Sequence, residues 1–244
     1  MPTQAPEETD VLCEDCGYML NGLPESGRCP ECGSEIELSV SQRFRQTPPW
    51  EVIGHSSPKW LRFVVTTLEI IFHPKRFYRG STSRGQVSPA KNFAQIHWIT
   101  SSILFGLAGF LHWQTEKKLQ NLHTPDWTGP LVLLGLPILI YLTTVLVIGL
   151  AARLTTWEAA YRGYRLPGNV VLRALYYHSA HLLPVALLLF ATCGTTWLLY
   201  WRWIPTSTPE TIYLYILCGE VILSAGYLFN TYWIGMRNWM YANR

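Results

Sequence analysis

Residues 129–150 read GPLVLLGLPILIYLTTVLVIGL, with no Asp, Glu, Lys or Arg among them. At 1.5 Å per helical residue, such a run covers the ~30 Å hydrocarbon core of a bilayer. Charge-free intervals of comparable length cover 92–115 and 174–201, and 211–236 is interrupted by Glu220 alone. The expected fold is therefore an all-α polytopic membrane protein, with spans at about 92–113, 129–150, 174–200 and 211–236.

The composition of the 244 residues agrees. Charged side chains make up 14%, against about 25% in ordinary soluble domains. The mean hydropathy of +0.12 averages unlike parts, because residues 1–91 hold 21 of the 35 charged side chains. Lys59, Arg62, Lys75, Arg76, Arg79, Arg84 and Lys91 precede span one, Arg153, Arg162, Arg165 and Arg173 separate spans two and three, and Arg237 and Arg244 follow span four. Only Lys117, Lys118 and Arg202 fall on the other side. Cytoplasmic loops keep the excess of Lys and Arg, so both termini are expected in the cytoplasm and the protein in the inner membrane. Trp113, Trp127, Trp197, Trp201 and Trp203 would form the outer aromatic belt, and Trp98, Trp157, Trp233 and Trp239 the inner one. Residues 1–12 are acidic and polar instead of basic then apolar, so no secretory signal is expected and residues 1–10 read as disordered.

Cys13, Cys16, Cys29 and Cys32 form two CxxC pairs, each followed by Gly. Such knuckles can set four thiolates about 2.3 Å from a Zn²⁺ ion, and glycine permits the turn behind each pair. Residues 11–40 resemble a zinc ribbon, which implies a small β module held by structural Zn²⁺ and closed by a strand at Ile36–Val40. Disulfides are disfavoured in a reducing cytoplasm, a redox CxxC would need a βαβ setting, and iron on the same thiolates is the rival metal. From Glu7 to Glu37 nine carboxylates face one base, Arg28. That excess repels phosphate, so nucleic acid is excluded as a partner and a protein partner is expected instead.

A linker, 41–57, leads to the basic segment 58–91. Ser57 and Pro58 would start a helix with Trp60, Leu61, Val64, Val65, Leu68, Ile71 and Phe72 on one face and Lys59, Arg62, Thr66 and Glu69 on the other. Fifteen residues are too few to span, so this helix is expected to lie in the bilayer interface. Lys59, Arg62, Lys75, Arg76 and Arg79 would then face anionic lipid. After span two, Pro167 and Gly168 make a turn, with Asn169 as the cap of the helix that follows.

The juxtamembrane helix ending in His73-Pro74-Lys75-Arg76-Phe77-Tyr78-Arg79, with the Arg-rich loop feeding Tyr176-Tyr177-His178-Ser179-Ala180-His181-Leu182-Leu183-Pro184, resembles bacterial relatives of the Ypt/Rab-interacting (Yip-type) membrane family. The resemblance implies a multi-span protein with an N-terminal cytoplasmic segment. Eukaryotic members are associated with small GTPases and membrane traffic. It carries no catalytic residue, and five spans are usual there.

No nucleophile elbow, HExxH or phosphate loop occurs, so no catalysis is expected. His178 and His181 form an HxxH pair, read as interfacial histidines sooner than as metal ligands. Glu220 lies about 14 Å along the fourth helix from Thr211. An acid at such depth is a candidate functional group, and Thr192, Thr195 and Thr196, with Cys193, Ser101 and Ser102, are its candidate polar partners. The main expectation is a membrane scaffold that docks a protein through its ribbon. The alternative is a small transporter or channel subunit built around Glu220. Pro137 and Pro184 should kink spans two and three. Ser102, Gly106 and Gly109, and Gly219 with Gly226, should either pack helices within the chain or seam a homo-oligomer.

Overall fold

The computed structural model describes residues 10–40, 45–52, 57–83, 85–120, 123–125, 127–164, 166–202 and 210–243. Residues 1–9 of the expected disordered stretch 1–10, linker residues 41–44 and 53–56, and Arg84, Arg165, Trp203 and Arg244 lie outside these residues, as do the Trp201 and Arg202 side chains. Among the described residues the extended regular elements are all helices, with no strand: α1 (Glu37–Val40), α2 (Lys59–Phe72), α3 (Pro74–Gly80), α4 (Val87–Leu119), α5 (Thr128–Arg162), α6 (Gly168–His178), α7 (Leu182–Arg202) and α8 (Glu210–Met240). Single 3₁₀ turns cover Pro49–Glu51 and Ser179–His181. Four helical stretches are long and apolar enough to cross a membrane.

The helices outrun their apolar segments. The 33 residues of α4 and 35 of α5 correspond to roughly 50 Å each, against ~30 Å of hydrocarbon. The interval between spans two and three, read as an Arg-bearing loop, is mostly helical extension. Its turn is short: Gly163 has φ 72°, its N–H meets the Ala160 carbonyl at 3.3 Å, and that of Tyr164 meets the Ala159 carbonyl at 2.8 Å. That pair of hydrogen bonds with a left-handed glycine is a Schellman stop. Pro167, not Asn169, stands ahead of α6, and Pro58, not Ser57, ahead of α2. Pro184 acts upstream of itself. It lacks an N–H and its ring crowds the carbonyl four residues back, so the helix breaks into the 3₁₀ turn Ser179–His181. Pro137 sits inside an uninterrupted α5.

The contacts divide the chain into two compact units, one of Met1–Ala94, Ile148–Ala180 and Asn230–Arg244, the other of Gln95–Val147 and His181–Phe229. The first has an aromatic core. Trp50, Phe63 and Phe93 pack on one another, Phe93 and Phe77 on Tyr177, and Tyr78 on Phe77 and Trp239. The Trp239 indole N–H donates to the Tyr78 carbonyl at 2.8 Å and that of Trp50 to the Pro89 carbonyl at 2.8 Å. Trp239 is therefore a core residue and not part of an inner belt, and Trp98 is buried as well. Trp127, Trp157 and Trp233 are exposed.

In the second unit, a Cβ placed on Gly106 would meet the Pro137 ring, and one on Gly109 would lie 2.8 Å from Leu136. These glycines let α4 approach α5 closely. Gly219 and Gly226 face open space instead. Cys193 is buried, as expected of a packing residue, whereas Cys218 is exposed.

Candidate metal centre and its mounting

Each CxxC pair closes a tight turn. Gly17 and Gly33 have φ of 80° and 73°, and their amides bond back to the Cys13 and Cys29 carbonyls at 2.8 and 2.9 Å. A residue with a Cβ would be strained at that φ. One antiparallel bridge closes each turn, Leu12 with Met19 and Arg28 with Glu35. Those isolated bridges replace the expected β module. The expected closing strand Ile36–Val40 is also corrected: Ser39 and Val40 N–H both bond to the Ile36 carbonyl, at 2.9 and 3.1 Å, and Glu37–Val40 is a helical turn. In about thirty residues wrapped on one centre, no partner strand is free to extend a ladder.

The turns bring the four sulfurs within 4.8 Å of one another, close enough to hold a metal ion. Cys13 and Cys32 Sγ lie 3.5 Å apart and those of Cys16 and Cys29 3.6 Å apart. A tetrahedron with ~2.3 Å metal–sulfur bonds has edges of about 3.8 Å, so the spacing fits a thiolate-bound cation. The thiols differ in acidity: hydrogen bonding with Ser34 draws Cys32 down to about 6, while burial pushes Cys13 and Cys16 up. A bound cation would deprotonate all four.

The four-cysteine module is fastened to the rest of its unit by groups invisible to motif reading. The Asn243 amide brackets it: Oδ1 accepts from Leu12 N–H at 2.8 Å, and Nδ2 donates to the Leu12 and Ser39 carbonyls, both at 2.7 Å. Arg45 reaches Glu14 at 2.8 Å with both groups largely buried, and also donates to the Tyr78, Ser81 and Asn238 carbonyls. Arg79 meets Asp15 at 3.3 Å on the surface. Two of the module's carboxylates, Glu14 and Asp15, are thus neutralised by the chain itself. Glu25, Glu31, Glu35 and Glu37 are exposed.

The expected linker contributes a second buried assembly. Arg173, counted in the sequence as a flanking charge, is fully buried and pairs with Glu51 at 2.7 Å. It also donates to the Gln86 carbonyl at 2.9 Å, and the Tyr177 hydroxyl donates to Glu51. No hydropathy or charge count marks such a residue, because its role depends on a partner 122 positions away.

Helix α2 turns its apolar face outward. Trp60, Leu61, Val64, Val65, Leu68 and Phe72 are exposed, while Thr66, Thr67 and Ile70 are buried. The opposite face is packed on protein at Thr66, whose Oγ1 accepts the Trp50 N–H at 3.1 Å, while Lys59 on the same face is exposed. Ile71, placed on the outward face by the sequence, is only half-exposed and packs against the core. The five basic residues separate into two sites. The Lys59 ammonium lies 4.8 Å from the Trp50 ring and Arg62 donates to the Val52 carbonyl. Lys75, Arg76 and Arg79 line a different pocket of about 650 Å³.

In the second unit Thr192 donates to Glu220, so one expected partner is in place. Thr195 is exposed and bonds back to the Ala191 and Thr192 carbonyls of its own helix, and Thr196 is half-buried. Beside them stands a chain the sequence did not single out: His112 Nδ1 lies 2.9 Å from the Tyr213 hydroxyl, which donates to Cys193 Sγ at 3.6 Å. The HxxH pair makes no joint site. His181 bonds to the Tyr227 hydroxyl at 2.7 Å, and the His178 ring packs on Tyr232.

Comparison with known family models, curated proteins and solved structures finds no match to this chain.

Proposed function

We propose that this chain is a non-enzymatic scaffold of the inner membrane, whose cytoplasmic ribbon holds structural Zn²⁺ and docks a basic protein surface. The observation that carries the reading is the division of the ribbon's acids: Glu14 and Asp15 fasten it to its own unit, while Glu25, Glu31, Glu35 and Glu37 remain exposed. Exposed acids that the chain does not neutralise can steer and select a basic partner. Zinc is favoured because a closed four-thiolate site has no open coordination position and suits a structural ion. The Lys and Arg asymmetry supports a cytoplasmic side for both termini. Protein docking at the membrane also fits the Yip-type likeness.

The test uses the full-length chain in lipid nanodiscs. Proteins captured by the wild-type chain should be lost when the four exposed glutamates are changed to Gln and when zinc is removed, with the helical signal unchanged. Equal capture by the four-glutamate variant would refute docking through the ribbon.

The Thr192–Glu220 contact supports the second reading, a proton or ion path in the membrane. Proteoliposome flux that is lost in Glu220→Gln and absent from empty vesicles would favour it.

A further inference from the structure

Where the ribbon meets the turn between α2 and α3, the pocket of about 650 Å³ is lined by Phe72, Lys75, Arg76 and Arg79 on one side and by Glu14 and Leu38 of the ribbon on the other. Its charge is lopsided. Arg45 neutralises Glu14 and Arg79 is shared with Asp15, but Lys75 and Arg76 are exposed and make no ion pair among the described residues. Phe72 belongs to two features at once. It lines the pocket, and it ends the row Trp60, Val64, Leu68 and Phe72, which recurs every four residues along α2 and is exposed throughout. A cationic recess therefore opens directly onto an apolar stripe.

We infer that this pocket binds one anionic glycerophospholipid, with the phosphate against Lys75 and Arg76 and an acyl chain along Phe72 and Leu68. A soluble anion would engage the bases but leave the apolar row unused. A phosphorylated peptide would have to cover four large apolar side chains with extended backbone. A lipid satisfies both halves with one molecule. Because Leu38 and Glu14 form one wall, the pocket is complete only while the ribbon is folded, so lipid retention depends on the metal. That dependence rests on the metal-held ribbon proposed above, whereas lipid binding itself does not.

The test is native mass spectrometry of the full-length chain in neutral detergent, titrated with phosphatidylglycerol or phosphatidylcholine. One phosphatidylglycerol per chain should be retained at concentrations where phosphatidylcholine is not. Lys75→Gln with Arg76→Gln should weaken it roughly thirtyfold, from two lost surface bases. Leu38→Glu, away from the thiolates, should weaken it severalfold with metal content unchanged, and chelation should do the same. Equal retention of the two lipids, or wild-type retention by the double variant, would overturn the proposal. So would displacement of the lipid by millimolar inorganic phosphate or by a phosphopeptide, which would mark a soluble-anion site.

Discussion

Changing Glu51 to Gln leaves the volume of the side chain nearly intact and removes the carboxylate that is bonded to the 0% exposed guanidinium of Arg173. Contacts of 2.7 Å and 3.0 Å imply charge centres roughly 4 Å apart, an attraction of about 4 kcal/mol at an effective dielectric of 20. Removing one partner of a buried pair costs about 3–5 kcal/mol, since the other charge stays behind uncompensated. At about 2–4 °C per kcal/mol for a chain of this size, the melting temperature should fall by roughly 10 °C. Scanning fluorimetry in nanodiscs measures it. Pairing the change with Arg173→Met should recover much of the loss, because no uncompensated charge is then left buried. A single variant melting within about 2 °C of wild type, or a double variant as unstable as the single, would refute the assignment of this pair as a structural clamp.

Elemental analysis of the purified chain should find one zinc per chain, lost in Cys16→Ser or Cys29→Ser and released progressively on acidification, since protons compete for the thiolates; iron in its place would correct the metal. Asn243→Ala deletes three ribbon contacts and should loosen residues 11–40 by about 1–3 kcal/mol, read as faster amide exchange there while α4 to α8 keep their protection. Gly106→Leu should drive a side chain into Pro137 and destabilise the second unit by about 1–3 kcal/mol, whereas Gly219→Leu, which faces open space, should leave the melting temperature unchanged. In Thr192→Val, flux in proteoliposomes should fall if Glu220 carries a path and stay at the background of empty vesicles if the contact only packs helices.

Spans and knuckles were legible because each depends on local rules. A 22-residue charge-free run needs no partner to declare itself, and CxxC-Gly sets its own turn through the left-handed glycine. The limits of those rules appear at Ile36–Val40, expected as a strand and found as a helical turn, because a strand exists only by pairing with another segment. They appear again where helix ends were taken from hydropathy. Hydropathy measures depth in lipid, but α4 and α5 end where capping and packing end them. Thr66 makes the same point on α2. Polarity placed it on the solvated face opposite the apolar row, yet it is buried as the acceptor for the Trp50 amide.

By itself, the sequence determined that four segments are long and apolar enough to cross a bilayer, that four thiols can converge, and that an acidic module adjoins a basic one. Each is a property of composition or of spacing within about twenty residues. Only the tertiary structure decided that Arg173 is clamped by Glu51, that Asn243 brackets the four-cysteine module, and that Thr192 rather than Thr195 meets Glu220. Those pairs are joined across tens to hundreds of positions, and a buried polar group takes its meaning from the partner that offsets its desolvation.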